Sequence, residues 1–332
     1  MGKSFFRFIT FLIIIFFCSS WGFLVHRTVN QLAIYELPKP MQPFFYRNIK
    51  YIVENSVRPD LRRNSDPGEA PKHFIDLEAY GDSAAWKMPM SWNDAVKKYS
   101  KDTLLKYGYV PYNIIMLKDK LSVAFRSQNA DSILFYLADI GHYIADANVP
   151  LHTTVNYDGQ MTNQKGLHAL WESSVPDIEV GQYELNGHHK AEYLDHPEEA
   201  IWNALRRAHL LLTDVFGKEK ELSRQFTEAT KFVVQKRNGR DVKTYSPEFV
   251  KAYAAALQPT INEQLQHSAN LISDFWYSAW IDAGKPDLTS LLKQKFTRSD
   301  KRALRKEMKA FRNNKLIEKN FLMAIKLQQT SD

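Results

Sequence analysis

The chain has 332 residues, 44% hydrophobic and 24% charged, with few Gly and Pro and a single cysteine, Cys18. This allows a large hydrophobic core and excludes a disordered, collagen-like or disulfide-stapled chain. The formal charge of +7 is unevenly spread, with +2 in residues 1–20, +8 in residues 285–332 and −3 in the part between, so the basic character belongs to the tail.

In chain order, Lys3 and Arg7 precede the apolar run FITFLIIIFF (8–17), and small residues stand at Cys18 and Ser20. This pattern predicts an export signal over 1–20, cleaved before Trp21, and hence a periplasmic or secreted protein. The competing reading is an uncleaved anchor, because the apolar run nearly continues through WGFLV, close to the ~18 residues of a spanning helix. A mature chain from Trp21 has no cysteine.

Beyond the signal there is no sustained alternation of apolar and polar residues. Apolar residues instead recur at three and four, which predicts an all-α protein. Helices are expected over 24–36, 41–55, 91–105, 110–127, 131–148, 166–174, 196–215, 219–235, 246–282 and 299–325. The segments 57–90 and 149–165 are rich in turn formers and read as irregular, and 236–241 and 283–288 read as breaks. One helical domain over 21–289 with a basic helical extension over 290–332 is the simplest arrangement. In the extension, Leu304, Met308, Phe311 and Leu316 form an apolar face expected to pack on the body. The alternative use of this basic helix is contact with a phosphate-rich surface.

The stretch GHYIADANVPLH (141–152) sets His142 and Asp146 four apart, on one helix face. Pro150 then ends the helix just before His152. GLHALWE (166–172) repeats the spacing with His168 and Glu172. Imidazole and carboxylate are good ligands for a divalent ion such as zinc, and helical spacing fixes two of them at small entropic cost. One such pair is more often a surface ion pair, but two pairs flanked by His152 and by His73 of KHFIDLE point to metal. His26 and Asp60 are further candidates. Asp139, one turn before His142, and Asp76 are candidates to orient an imidazole. His188, His189, His196, His209 and His267 match no ligand position.

These marks resemble the trinuclear-zinc phosphodiesterases, comprising zinc-dependent phospholipase C and the fungal and plant S-one/P-one nucleases. The resemblance runs from Trp21 to about Asp177: a Trp after the signal, an early His, an Asp followed by HFID, then HYIADANVPLH and GLHALWE. It implies a single multi-helix domain and three zinc ions. One would be held by Asp60, His73, His142 and Asp146, and a second by His152, His168 and Glu172. The third would use His26, Asp146 as a bridge, and the amino group and carbonyl of Trp21, which requires cleavage before that residue. Asp66 is a rival to Asp60, but the Asp60 to His73 interval suits the family better.

The resemblance further implies hydrolysis of a phosphodiester by water that the metals activate, with Asp146 as bridge and Asp60 as orienting group or base. Single-stranded nucleic acid is the expected substrate. The Trp21 to His26 spacing and the NYDGQMTNQKG loop match the nuclease branch, with Phe74 as a base-stacking residue. Phospholipid is the alternative, because Glu172 stands where the phospholipases carry Glu. Leu24, Leu61 and Ala70 argue against a choline cage. A non-catalytic zinc-stabilised binding module ranks below both. No obligate protein partner is evident.

Overall fold

Asn129 begins the central helix of the fold. In the computed structural model, which describes residues 22–186, 188–237 and 240–329, its side chain accepts the Ser132 N–H at 2.9 Å and caps the helix Ala130–Ala147. The other helices that frame the site are α1 (Phe23–Glu36), α2 (Arg58–Arg62) and α3 (Val110–Arg126), so Ala130–Ala147 is α4. The short link from α3 makes α4 its antiparallel neighbour. Every residue of α4 from Leu137 to Ala147 is buried. A helix buried on all sides should be apolar all round, so Asp139, His142 and Asp146 demand partners.

Farther along come α5 (Pro197–Leu210), α6 (Leu212–Ser223), the strands β1 (Phe232–Arg237) and β2 (Arg240–Tyr245), α7 (Pro247–Leu257) and α8 (Thr260–Asp282). Helix α8 packs on α1, α3 and α4, where the Trp276 indole donates to the Leu137 carbonyl at 3.2 Å. Helices α1 and α4 meet at Gly141. A Cβ there would lie 2.0 Å from Asn30 Oδ1, so any larger residue would have to displace Asn30 or α1 one residue before His142.

Several expected helices are broken. The stretch 41–55 splits into Gln42–Arg47 and Ile49–Asn55, and 91–105 splits at Ser100, which has φ +69°. The stretch 246–282 divides at Pro259, which has no N–H to continue α7. The helix expected over 219–235 ends at Ser223, and FVVQKR is a strand paired antiparallel to β2, with Phe232 opposite Tyr245 and Val234 opposite Lys243. Adjacent β-branched residues favour the strand, and a buried Lys231 fastens the hairpin. Its ammonium pairs with Glu219 at 2.7 Å and lies over the rings of Phe232, Tyr245 and Phe249. The segment 57–90, expected to be irregular, contains α2.

The basic extension forms α9 (Arg298–Arg312) and α10 (Met323–Gln329). Leu304, Phe311, Leu316 and Leu322 are buried, and the Phe311 ring meets Tyr35 of α1 at 5.3 Å. The extension and the body therefore share apolar packing. Among the described residues no helix is long and apolar enough to cross a membrane. The expected signal over 1–20 and Trp21 lie outside the described residues.

Candidate metal centre

Helix α1 carries His26, α2 carries Asp60, and α4 carries His142 and Asp146, while His73 and His152 come from the segments that follow α2 and α4. His168 and Glu172 lie on the helical stretch 167–179. That stretch widens to a π turn over Leu170–Ser174, where the Val175 N–H reaches back to the Leu170 carbonyl. Pro176 explains the opening, because it has no N–H to give to the Glu172 carbonyl four residues earlier. Asp158 of the DG turn accepts the N–H groups of Gly166 and His168 at 3.1 and 3.3 Å, anchoring the start of this stretch.

All eight described candidate ligands come together in three overlapping groups: His26, His142 and Asp146; Asp60, His73 and His142; His152, His168 and Glu172. Within each group the donor atoms lie within 4.8 Å of one another. Asp146 faces two ways. Its Oδ2 lies 2.9 Å from His73 Nδ1 and 3.2 Å from His142 Nε2, and its Oδ1 lies 3.5 Å from His26 Nε2. Asp60 Oδ1 is 3.7 Å from both His73 Nδ1 and His142 Nε2. Glu172 links the third group to His26, with Oε2 2.6 Å from His168 Nε2 and Oε1 3.6 Å from His26 Nε2. Gly22, the first described residue, stands beside Glu172: a Cβ on it would be 3.8 Å from Oε1.

The backbone selects the imidazole tautomers. His142 Nδ1 is 2.8 Å from the Ser56 carbonyl and His152 Nδ1 is 2.7 Å from the His73 carbonyl. A carbonyl only accepts, so both Nδ1 atoms donate, and both Nε2 atoms are free to offer a lone pair to the cluster. His152 Nε2 then faces His168 Nε2 at 3.2 Å, and His142 Nε2 faces His73 Nδ1 at 3.1 Å. Ring nitrogens that close must share a proton, as N–H···N, or a metal ion. Burial lowers the basicity of His73, His142 and His152, but the carboxylates around them outweigh it and raise all three, His152 to about 9. Burial pushes Asp146 and Glu172 up, yet the imidazoles outweigh it and hold both well below the ordinary carboxylate range. Divalent ions would supply the same compensation with neutral imidazoles, so the donor set fits zinc.

Other residues hold the ligands in place. Among the described residues Asp139 makes no hydrogen bond or ion pair with an imidazole. It accepts from Arg58 at 2.6 Å and from Arg62 at 2.8 Å, clamping α2, and with it Asp60, onto α4. The carboxylate behind His73 is Glu69, fully buried, with Oε1 3.6 Å from His73 Nε2. Glu69 also accepts from Tyr143, from Arg62 at 3.1 Å and from Lys72 at 2.6 Å. Its position four residues before His73 was the available signal, but the surrounding turn formers concealed it. Asp66 faces its own turn and Lys72, outside the cluster. Asp76 is half-buried, and burial raises it to about 6. Phe74 is half-buried against Gly108.

Tyr157, which carried no signal in the sequence, is 53% exposed with its ring edge-on to His168 at 6.2 Å. Trp86 is 49% exposed and meets His209, which in turn bonds Thr153 beside His152 at 3.1 Å. A groove of about 1420 Å³ is lined by Gly22, Ser173, Lys165 and Lys220 and by Lys243 and Tyr245 of the hairpin.

No family model matches the chain, and no curated protein matches it. Among solved structures, the alpha toxin of Clostridium absonum is similar at 12% identity and a TM-score of 0.48, over 80% of this chain and 65% of that one. The alpha-toxin of Clostridium perfringens from an avian strain is similar at 14% identity and a TM-score of 0.45, over 77% and 63%. The chain thus spans a little under two thirds of the length of either toxin.

Proposed function

We propose that this chain is a zinc-dependent hydrolase of phosphodiesters. The observation that carries the reading is the convergence of five imidazoles and three carboxylates into three donor groups linked through Asp146, His142 and Glu172. A single structural ion uses four ligands; here the third group offers only three, which suits a site that keeps a position open to water or substrate. Bound zinc would neutralise phosphoryl oxygens and acidify water. Asp146 would hold two ions by its two oxygens, and His142 and His152 would present the lone pairs fixed by Ser56 and His73. Asp60 is the one partly exposed carboxylate of the first two groups, which supports the proposed role of orienting the attacking water and accepting its proton. Export and cleavage before residue 21, which would free the amino group of Trp21 next to Gly22 in the chain, belong to the same proposal.

Single-stranded nucleic acid is the proposed substrate on the strength of the sequence marks. Tyr157 beside His168 is better placed than Phe74 to stack a base. Phospholipid is the second reading. Leu61, which follows Asp60 in the chain, and Tyr157, whose ring meets His168, are exposed apolar side chains beside two of the ligands, as an enzyme acting at a lipid interface requires. The test is competition. Zinc-loaded protein is given equal amounts of single-stranded DNA and mixed phospholipid micelles, and the phosphorus-containing products are identified. Nucleotides alone support the nuclease, and phosphorylated headgroups alone support the phospholipase. Neither product, from protein with full zinc content, rejects the hydrolase reading in favour of a binding module.

A further inference from the structure

Helix α9 is amphipathic in an unusual division. Its apolar side chains, Leu304 and Phe311, are buried against the body, and its acids also turn inward or sideways: Glu307 accepts from Tyr35 and Tyr46 at 2.8 and 2.7 Å, and Asp300 pairs with Arg47 at 3.1 Å. At about 100° per residue, Arg298, Lys301, Arg302, Arg305, Lys306, Lys309 and Arg312 all fall within an arc of about 140° that contains no acid. All seven are exposed. Among the described residues no carboxylate pairs with any of them; Lys306 alone lies over a ring, that of Phe321 at 5.3 Å. Arg298, Arg302, Arg305, Lys309 and Arg312 follow one another at four, three, four and three residues. They form a stripe about 21 Å long at 1.5 Å rise per residue.

Seven like charges on one face repel one another, and folding does not require them, since the packing of α9 is made by its other face. We propose that this stripe is a docking surface for the phosphate backbone of a nucleic-acid strand, separate from the metal centre. Evenly spaced cations suit a repeating row of phosphates, and four of the five are arginines, whose planar fork binds phosphate oxygens in pairs. A bilayer is the less suitable partner. A helix lying in a lipid interface buries an apolar face there, and the apolar face of α9 is occupied by Tyr35 and the core. No large hydrophobic residue between 285 and 329 is exposed among the described residues. The inference concerns binding alone and stands whether or not the metal centre hydrolyses what is bound.

The experiment uses the full zinc-loaded chain and a variant with Arg298→Gln, Arg302→Gln, Arg305→Gln, Lys309→Gln and Arg312→Gln. Binding of a labelled phosphorothioate 20-mer, which keeps the backbone charge, is measured by anisotropy from low to moderate salt. Sedimentation with vesicles containing phosphatidylserine runs in parallel. The expected result is strand binding by the native chain, weakened roughly tenfold or more in the variant, with the salt slope shallower by about 3.5 for five lost contacts. Equal binding by the two proteins, or no strand binding by the native chain, overturns the proposal. So does vesicle binding tighter than strand binding and lost in the variant, which would assign the stripe to a bilayer. An unchanged melting temperature shows that the variant is folded. Hydrolysis of a small soluble diester reports on the metal centre separately, so failure of the hydrolase reading is told apart from failure of this one.

Discussion

Glu69 shows how one buried side chain governs a cluster it does not enter. His73 turns Nδ1 towards Asp146 and leaves Nε2 as the N–H that faces Glu69. The change Glu69→Gln keeps the volume and removes the charge. Zinc affinity at the group of Asp60, His73 and His142 should fall about 10- to 100-fold, as read by chelator competition; three unchanged affinities would contradict this role. Glu36, at the far end of α1, is a second buried carboxyl, facing the Asn270 amide at 3.0 Å, and burial raises it to about 7. The sign follows from linkage. With a folded pKa above the unfolded one, the side chain costs nothing while both states are protonated. The cost then grows as pH rises from about 4.5 and is constant above about 7. Glu36→Gln should therefore gain little stability at pH 5 and about 3 kcal/mol more by pH 8. Urea unfolding at the two pH values measures the difference, and a gain independent of pH would show that ionisation is not the cause.

At the scale of elements, the metal centre depends on how closely α1 and α4 approach. Gly141 allows the contact, and the His26 and His142 rings stack at 4.0 Å as a result. Gly141→Ala should force the helices apart, at a cost of about 1–3 kcal/mol. It should also reduce zinc content while leaving the helical signal by circular dichroism nearly unchanged. Normal zinc content in a stable variant would mean that Asn30 simply moves aside. Helix α2 is the complementary case. It has a single turn, too short to persist alone, and it is held by two arginines on Asp139. A sequence scan by turn formers misses such an element, because tertiary ion pairs rather than local propensity make it.

Across the whole molecule, the −3 body and the +8 tail form one packed unit with strongly separated charge. Phe311 belongs to the same core cluster as Tyr35 and Trp276. Phe311→Ala should cost about 3–5 kcal/mol and lower the midpoint of a single cooperative transition. Early loss of the tail alone, with the body still folded, would make it a separate unit. The same packing that fixes α9 to the body leaves its cationic face towards solvent.

The residues alone determined that the chain is helical, because the apolar period is a local property. They also determined which side chains were candidates for metal, because a His and a carboxylate four apart share a face in any helix. The preference for Asp60 over Asp66 came from the resemblance instead; Asp60 Oδ1 lies 3.7 Å from His73 Nδ1 and His142 Nε2, whereas Asp66 faces its own turn and Lys72. Pro259 and the adjacent valines of FVVQKR were local signals that the helical period outweighed, while the break at Ser100 and the partner of the strand depend on what packs against the segment. Only the tertiary structure decided that Asp139 clamps α2 instead of orienting an imidazole, that Glu69 stands behind His73, and that His26 and Glu172, far apart in the chain, close the cluster. These are long-range contacts in a buried site, where an uncompensated charge is so costly that partners must be found wherever the fold brings them.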